Sequence, residues 1–91
     1  MTELRCMEFL KGSVVISKAG RDQGYYLAVV GEEDGKILVA DGKERPLSRP
    51  KRKNPKHLQK TDFNIELLQL TDKKLRTYLR NLRTFEEKGQ A

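Results

Sequence analysis

Three short apolar runs occupy the first half of the chain, each closed by turn-forming residues, and a longer stretch with a helical repeat occupies its end. Residues 13–18 read SVVISK, 25–30 read YYLAVV and 36–40 read KILVA. Each is rich in β-branched or aromatic residues, which suit a pleated, half-buried surface. AGRDQG at 19–24, GEEDG at 31–35 and Asp41-Gly42 punctuate them with turn chemistry. Strands this short, with no helical pattern between them, predict an antiparallel meander that curls into a small barrel. Two further strands are expected, near residues 56–59 and at 64–70 (NIELLQL), on either side of a turn at 60–63.

From Leu75 the period changes. Leu75, Tyr78, Leu79, Leu82 and Phe85 fall at steps of three, four and seven and form one stripe on a helix. Thr71 or Asp72 can cap its start, and Gly89 is expected just past its end. Lys73, Lys74, Arg76, Arg80 and Arg83 lie off that stripe, so the helix is amphipathic with a basic outer face. The expected organisation is mainly β, a barrel over residues 1–70 followed by a helix over 71–89.

Composition narrows what such a domain can do. With 91 residues the chain is one domain that buries one small core, too short for a deep substrate cavity beside it. Its net charge of +6 is unevenly placed. Up to Gly42 five basic residues face seven acidic ones, a net of −2; beyond it fourteen face six, a net of +8. Such asymmetry points to a polyanionic partner.

The excess is concentrated in residues 43–60, KERPLSRPKRKNPKHLQK, with eight lysines and arginines against one glutamate. Pro46, Pro50 and Pro55 fix φ and disfavour helix, so this segment is expected to be an extended, partly pre-ordered loop. Pre-ordering lowers the entropy lost on meeting a partner, and phosphate neutralisation by Lys and Arg drives the affinity of basic proteins for nucleic acid. Lys51, Lys53, Lys56 and Lys60 are candidate phosphate contacts; Arg45, Arg49 and Arg52 can also stack on an unpaired base or grip phosphate with two donors. Asn54 and His57 can donate to a base edge or a ribose hydroxyl. The alternative for any charge run is a solvated surface. Tyr25 and Tyr26 must face opposite ways on a strand, one into the core and the other outward as a rim residue or a stacking platform.

Little in the chain points to catalysis. One histidine and one cysteine, Cys6, form no nucleophile–base pair, and there is no GxxxxGK[ST] loop and no metal-spaced cluster of ligands. Met1 and Met7 have no partner that would make them ligands. A lone cysteine suits a reducing compartment. The opening MTELRCMEFLKG is too charged for a secretory signal, and no apolar run approaches the roughly 18 residues of a membrane span. A cytoplasmic protein without metal, cofactor, membrane or small-molecule substrate is expected.

Residues 12–30, GSVVISKAGRDQGYYLAVV, resemble the KOW motif: a glycine opening an apolar strand, a Gly-Arg-Asp-x-Gly turn at 20–24, and a second apolar strand. Residues 49–58, RPKRKNPKHL, are similar to the basic stretch that follows this motif in large-subunit ribosomal proteins of archaea and eukaryotes and in small bacterial KOW-domain RNA-binding proteins. Together the likeness covers about residues 8–62. It implies an SH3-like β-barrel that binds ribosomal RNA and associates with the large subunit. Gly24 matches the glycine of the turn, and Lys18 and Arg21 match positions that present basic side chains to RNA. In the basic stretch the matching residues are Arg49, Lys51, Arg52, Lys53, Asn54, Lys56 and His57. Gln23 stands where related turns often carry lysine, and the long RNA-threading extensions of the ribosomal relatives have no counterpart here, so transient association with the ribosome is expected as readily as membership. KOW domains also occur in transcription elongation factors, and SH3-like barrels can read peptides; both remain alternatives.

Overall fold

A computed structural model describes residues 9–90, with side chains described through Arg83. Cys6, Met1 and Met7 therefore lie outside the described residues, as does the side chain of Phe85. The chain forms β1 (Ser13–Ser17), β2 (Tyr26–Glu33), β3 (Lys36–Ala40), β4 (Lys51–Lys53), a 3₁₀ turn (Pro55–His57), β5 (Leu58–Asn64) and helix α1 (Asp72–Gln90). All five strands belong to one antiparallel sheet of order β4-β3-β2-β1-β5. This is a mainly β domain consistent with an SH3-like barrel, although the sheet is not closed: β4 and β5 are its two edges.

The curl comes from β2. Its first half pairs with β1 (Val14 opposite Ala28) and its second with β3 (Glu33 opposite Lys36), and the β2–β3 register slips between Val29 and Gly31. A bulge of this kind bends a strand and adds twist, so one long strand serves two halves of the sheet. The following reversal is tighter than the GEEDG run suggests. Only Asp34 and Gly35 turn, both at positive φ (50° and 79°), as in the two-residue hairpins that match strand twist.

Both faces of the sheet are buried, which explains why β1 to β3 read as continuous apolar runs. Val15, Leu27, Val29, Ile37, Val39 and Leu58 fill the concave side with Phe9. Their strand neighbours Val14, Tyr26, Ala28 and Ala40 form the other side, against Leu75, Leu79 and Leu82 of α1. The helix stripe thus docks on the sheet. Thr71 caps it, its Oγ1 accepting from Lys74 N at 3.2 Å and its carbonyl from Leu75 N at 2.9 Å. Asp72 serves elsewhere: its Oδ1 accepts from Leu47 N at 2.7 Å, joining the helix start to the loop after β3. Gly89 lies within the helix rather than past its end.

The second half of the sheet differs from expectation. Residues 43–60 are not one loop; they contain β4, the 3₁₀ turn and the start of β5. The expected turn at 60–63 is strand, and of the expected strand at 64–70 only Asn64 pairs as one, at the end of β5, the rest being irregular chain. Ile65 and Leu70 pack against the helix-side core, but Leu68 is 77% exposed and Gln69 takes φ 64°, so the run cannot pair as a strand.

Gly42 is the tightest point between sheet and helix. It has φ 79°, and a Cβ there would collide with the Asp72 carbonyl oxygen and come within 3.0 Å of Arg76 N. Gly35 has the same φ with nothing within 4 Å. Gly42→Ala should therefore cost about 2–3 kcal/mol in urea unfolding, left-handed strain plus displacement of α1, whereas Gly35→Ala should cost about 1 kcal/mol of strain alone. Equal effects would show that the helix is not seated as described.

Candidate nucleic-acid interface

The 18–24 turn and the basic segment meet, and a largely buried ion pair joins them. Lys53 ends β4 with its side chain only 7% exposed, Nζ lying 2.9 Å from Asp22 Oδ1 and donating to the Ala19 carbonyl at 2.8 Å. Ser17 Oγ sits 2.8 Å from the same Asp22 oxygen and 2.9 Å from the Ala19 carbonyl, so its single hydrogen serves one or the other. Burial pushes the Asp22 carboxyl up, but the hydrogen bonds from Lys53 and Ser17 and the charges of Lys53 and Lys51 outweigh it and hold the carboxyl below its ordinary 3.8. Asp22 Oδ2 is buried without a partner, so the carboxylate's stability rests on its other oxygen.

A second tie is main chain. Lys18 N donates to the His57 carbonyl at 2.8 Å, extending the β1–β5 pairing one step beyond Ser17 and Leu58. Lys18 and Arg21 on the turn, and Lys56 and His57 on the 3₁₀ turn, are exposed and lie on these joined segments. Lys56 and His57 owe their position to Asn54, whose Oδ1 caps the 3₁₀ turn by accepting from Lys56 N at 3.0 Å. Gly24 has φ 87° with nothing within 4 Å of a built Cβ, so its requirement for glycine is conformational.

The remaining expected residues are dispersed. Lys53 faces inward, engaged by Asp22 and Ala19, and is not part of the exposed basic surface. Arg52 is exposed opposite Leu38, with a 3.5 Å ion pair to Glu33 near the β2–β3 turn; open to solvent on both sides, that pair contributes little. Lys51 is half-buried opposite Val39, Lys60 is exposed on β5, and Arg49 is exposed in the loop before β4. Arg45 lies in a loop closed by Asp41, whose Oδ1 accepts from Lys43 N (2.8 Å) and Arg45 N (2.9 Å).

Two clefts flank Tyr25, which is 46% exposed while Tyr26 points into the core. On one side Arg21 and Arg45 line a cavity of about 230 Å³ with Asp22, Asp41 and Glu44, two cations among three carboxylates. On the other, a groove of about 330 Å³ is lined by Tyr25, Lys43, Arg76, Arg80 and Arg83 with Asp41, four cations against one carboxylate. Sequence reading placed Arg76, Arg80 and Arg83 on one helix face from their spacing, but nothing in the spacing tells that this face abuts Tyr25. Among the described residues no group of three or more His, Cys, Asp or Glu is placed to hold a metal ion, and no helix is long and apolar enough to cross a membrane. Comparison of the chain with protein-family models and with characterised proteins finds no match.

Breaking the buried pair should be severe. Lys53→Met leaves the largely buried Asp22 carboxylate without its main partner, a loss of about 2–3 kcal/mol at pH 7 in urea unfolding. The pH dependence carries the sign. In the native protein the folded Asp22 value lies below the unfolded one, so the pair's contribution is present above about pH 4 and is lost as pH falls through the folded value. In Lys53→Met the lowering influences of Lys53 are gone and only the Ser17 hydrogen bond and the Lys51 charge oppose burial, so the rise in stability between pH 3 and 6 should be smaller than in the native protein. Parallel pH profiles for the two proteins would contradict this role for the pair.

Proposed function

We propose that the protein is a non-enzymatic RNA-binding domain of the KOW type that acts in the cytoplasm and binds ribosomal RNA on or near the large ribosomal subunit. The observation that carries the reading is the convergence of the 18–24 turn with residues 53–57 through the Lys53–Asp22 pair and the Lys18–His57 main-chain bond. Those two segments are the ones that resemble the KOW turn and the basic stretch that follows it. Their junction is held by buried bonds, so the exposed cations Lys18, Arg21 and Lys56, with His57, ride on a fixed backbone. A surface of this kind meets phosphates without reordering first, which keeps the entropic cost of association low.

The roles differ along the segment. Lys18, Arg21, Lys56 and Lys60 contact phosphates, and the more distant Arg49 and Arg52 extend the field that draws RNA in. Lys53 and Asn54 act on the protein side, one clamping the turn and the other capping the 3₁₀ turn. Gly24 keeps the turn open toward the partner.

Affinity on this reading comes chiefly from counterion release. With about five to eight phosphate contacts, log K for a ribosomal RNA fragment should fall with log[salt] at a slope of about −4 to −7 in filter binding. Lys18→Ala and Lys56→Ala should each reduce that slope by about one and leave the fold intact. A slope near −1, or variants that bind like the native protein, would rule the surface out.

A further inference from the structure

Resting on the RNA-binding reading, we infer that the groove between α1 and the loop at residues 41–45 is a pocket for an unpaired nucleotide, its base stacked at Tyr25 and its flanking phosphates held by Lys43 and Arg80. This site adjoins the 18–24 turn but uses side chains other than Lys18, Arg21, Lys56 and His57, and it makes the domain selective for single-stranded or looped RNA.

Three observations support it. The first is the ring. Tyr25 is half exposed, yet its backbone is pinned on both sides: its N–H donates to the Asp22 carbonyl at 2.9 Å, and its own carbonyl accepts from Ser17 N at 3.0 Å. A ring displayed from a fixed backbone loses little freedom on stacking, and stacking tolerates any base because every base has a π-face.

The second is the guanidinium. Arg83 Cζ lies 5.4 Å from the Tyr25 ring centroid, a cation–π arrangement. The guanidinium covers one face of the ring and orients it, and a base stacking on the opposite face meets a ring already polarised by a cation.

The third is the charge balance of the two clefts on either side of that ring. The cavity holding Arg21 and Arg45 is also lined by Asp22, Asp41 and Glu44 and is the less cationic of the two. Among the described residues the groove is lined by Lys43, Arg76, Arg80 and Arg83 with a single carboxylate, Asp41, which the two clefts share. A strand that stacks on Tyr25 is therefore directed toward α1. Arg76 also steadies the wall, donating from Nη1 to the Gly42 carbonyl at 3.1 Å.

The test uses the full chain with a 12-nucleotide oligouridine, a duplex RNA of equal length, inorganic polyphosphate and polyglutamate. The protein has three tyrosines and no tryptophan, so stacking is read directly as quenching of tyrosine fluorescence. Oligouridine should quench and polyphosphate should not. Tyr25→Leu should weaken oligouridine binding about tenfold with the salt slope unchanged, while duplex and polyphosphate binding stay the same. Tyr25→Phe should bind like the native protein, and Arg80→Gln should weaken binding with a slope smaller by about one. Equal weakening of duplex and single strand by Tyr25→Leu, or no weakening, overturns the pocket. Tyr25-dependent capture of polyglutamate as tight as that of RNA overturns it in favour of an acidic peptide.

Lys18→Ala and Lys56→Ala separate this inference from the reading beneath it. If they weaken RNA binding and Tyr25→Leu does not, the pocket fails and the turn surface stands. If only Tyr25→Leu acts, the turn surface fails and the pocket stands alone.

Discussion

One buried ammonium organises the functional end of this domain. Lys53 lies at the last residue of an edge strand, and its bonds to Asp22 and the Ala19 carbonyl reach across to the turn between β1 and β2. No strand pairing joins β4 to that side of the sheet. The ion pair therefore does chemically what a closed barrel would do by ladder hydrogen bonds. An isolated pair of this kind is weak support for stability, because desolvation offsets much of the attraction. Its value here is positional: it defines where the 18–24 turn sits relative to residues 53–57, and the main-chain bond from Lys18 to His57 fixes the same junction from the other edge.

The rest of the architecture follows from a sheet buried on both sides. Small residues at 28 and 40 let α1 come close, and Gly42 lets the chain pass beneath the helix start without a side chain in the way. Docking the apolar stripe turns Arg76, Arg80 and Arg83 toward Tyr25 and Lys43. The basic half of the sequence is thus divided into two surfaces, one around the 3₁₀ turn and one along the helix, with the carboxylate-rich cavity of Asp22, Asp41 and Glu44 near Tyr25.

The first three strands and the helix were legible because their signals are local: β-branched runs between turn residues, and a leucine stripe at helical spacing. The opposed roles of Tyr25 and Tyr26 also followed from alternation alone. β4 was missed because Lys51, Arg52 and Lys53 form a strand with no apolar residue, held by pairing to β3 rather than by its own preference. The run at 64–70 misled in the opposite sense, since its apolar residues pack around an irregular backbone. Lys53 was read as one more phosphate ligand among eight cations. Its partner Asp22 stands 31 positions earlier, and only the folded chain brings the two together. Asn54, expected to donate to a base edge or a ribose hydroxyl, also has a backbone role that its spacing does not announce, its Oδ1 accepting from Lys56 N.

The composition of β4 has a further effect. An open sheet leaves an edge whose unpaired backbone groups can recruit a strand from another molecule. In this domain that edge is only three residues long, every one of them Lys or Arg, and Pro50 and Pro55 bracket it at close range. Shortness, like charge and the missing N–H groups of proline each discourage lateral growth of the sheet. The exposed Arg52 and half-exposed Lys51 thus leave this edge a poor template for a further strand whether or not a polyanion is bound.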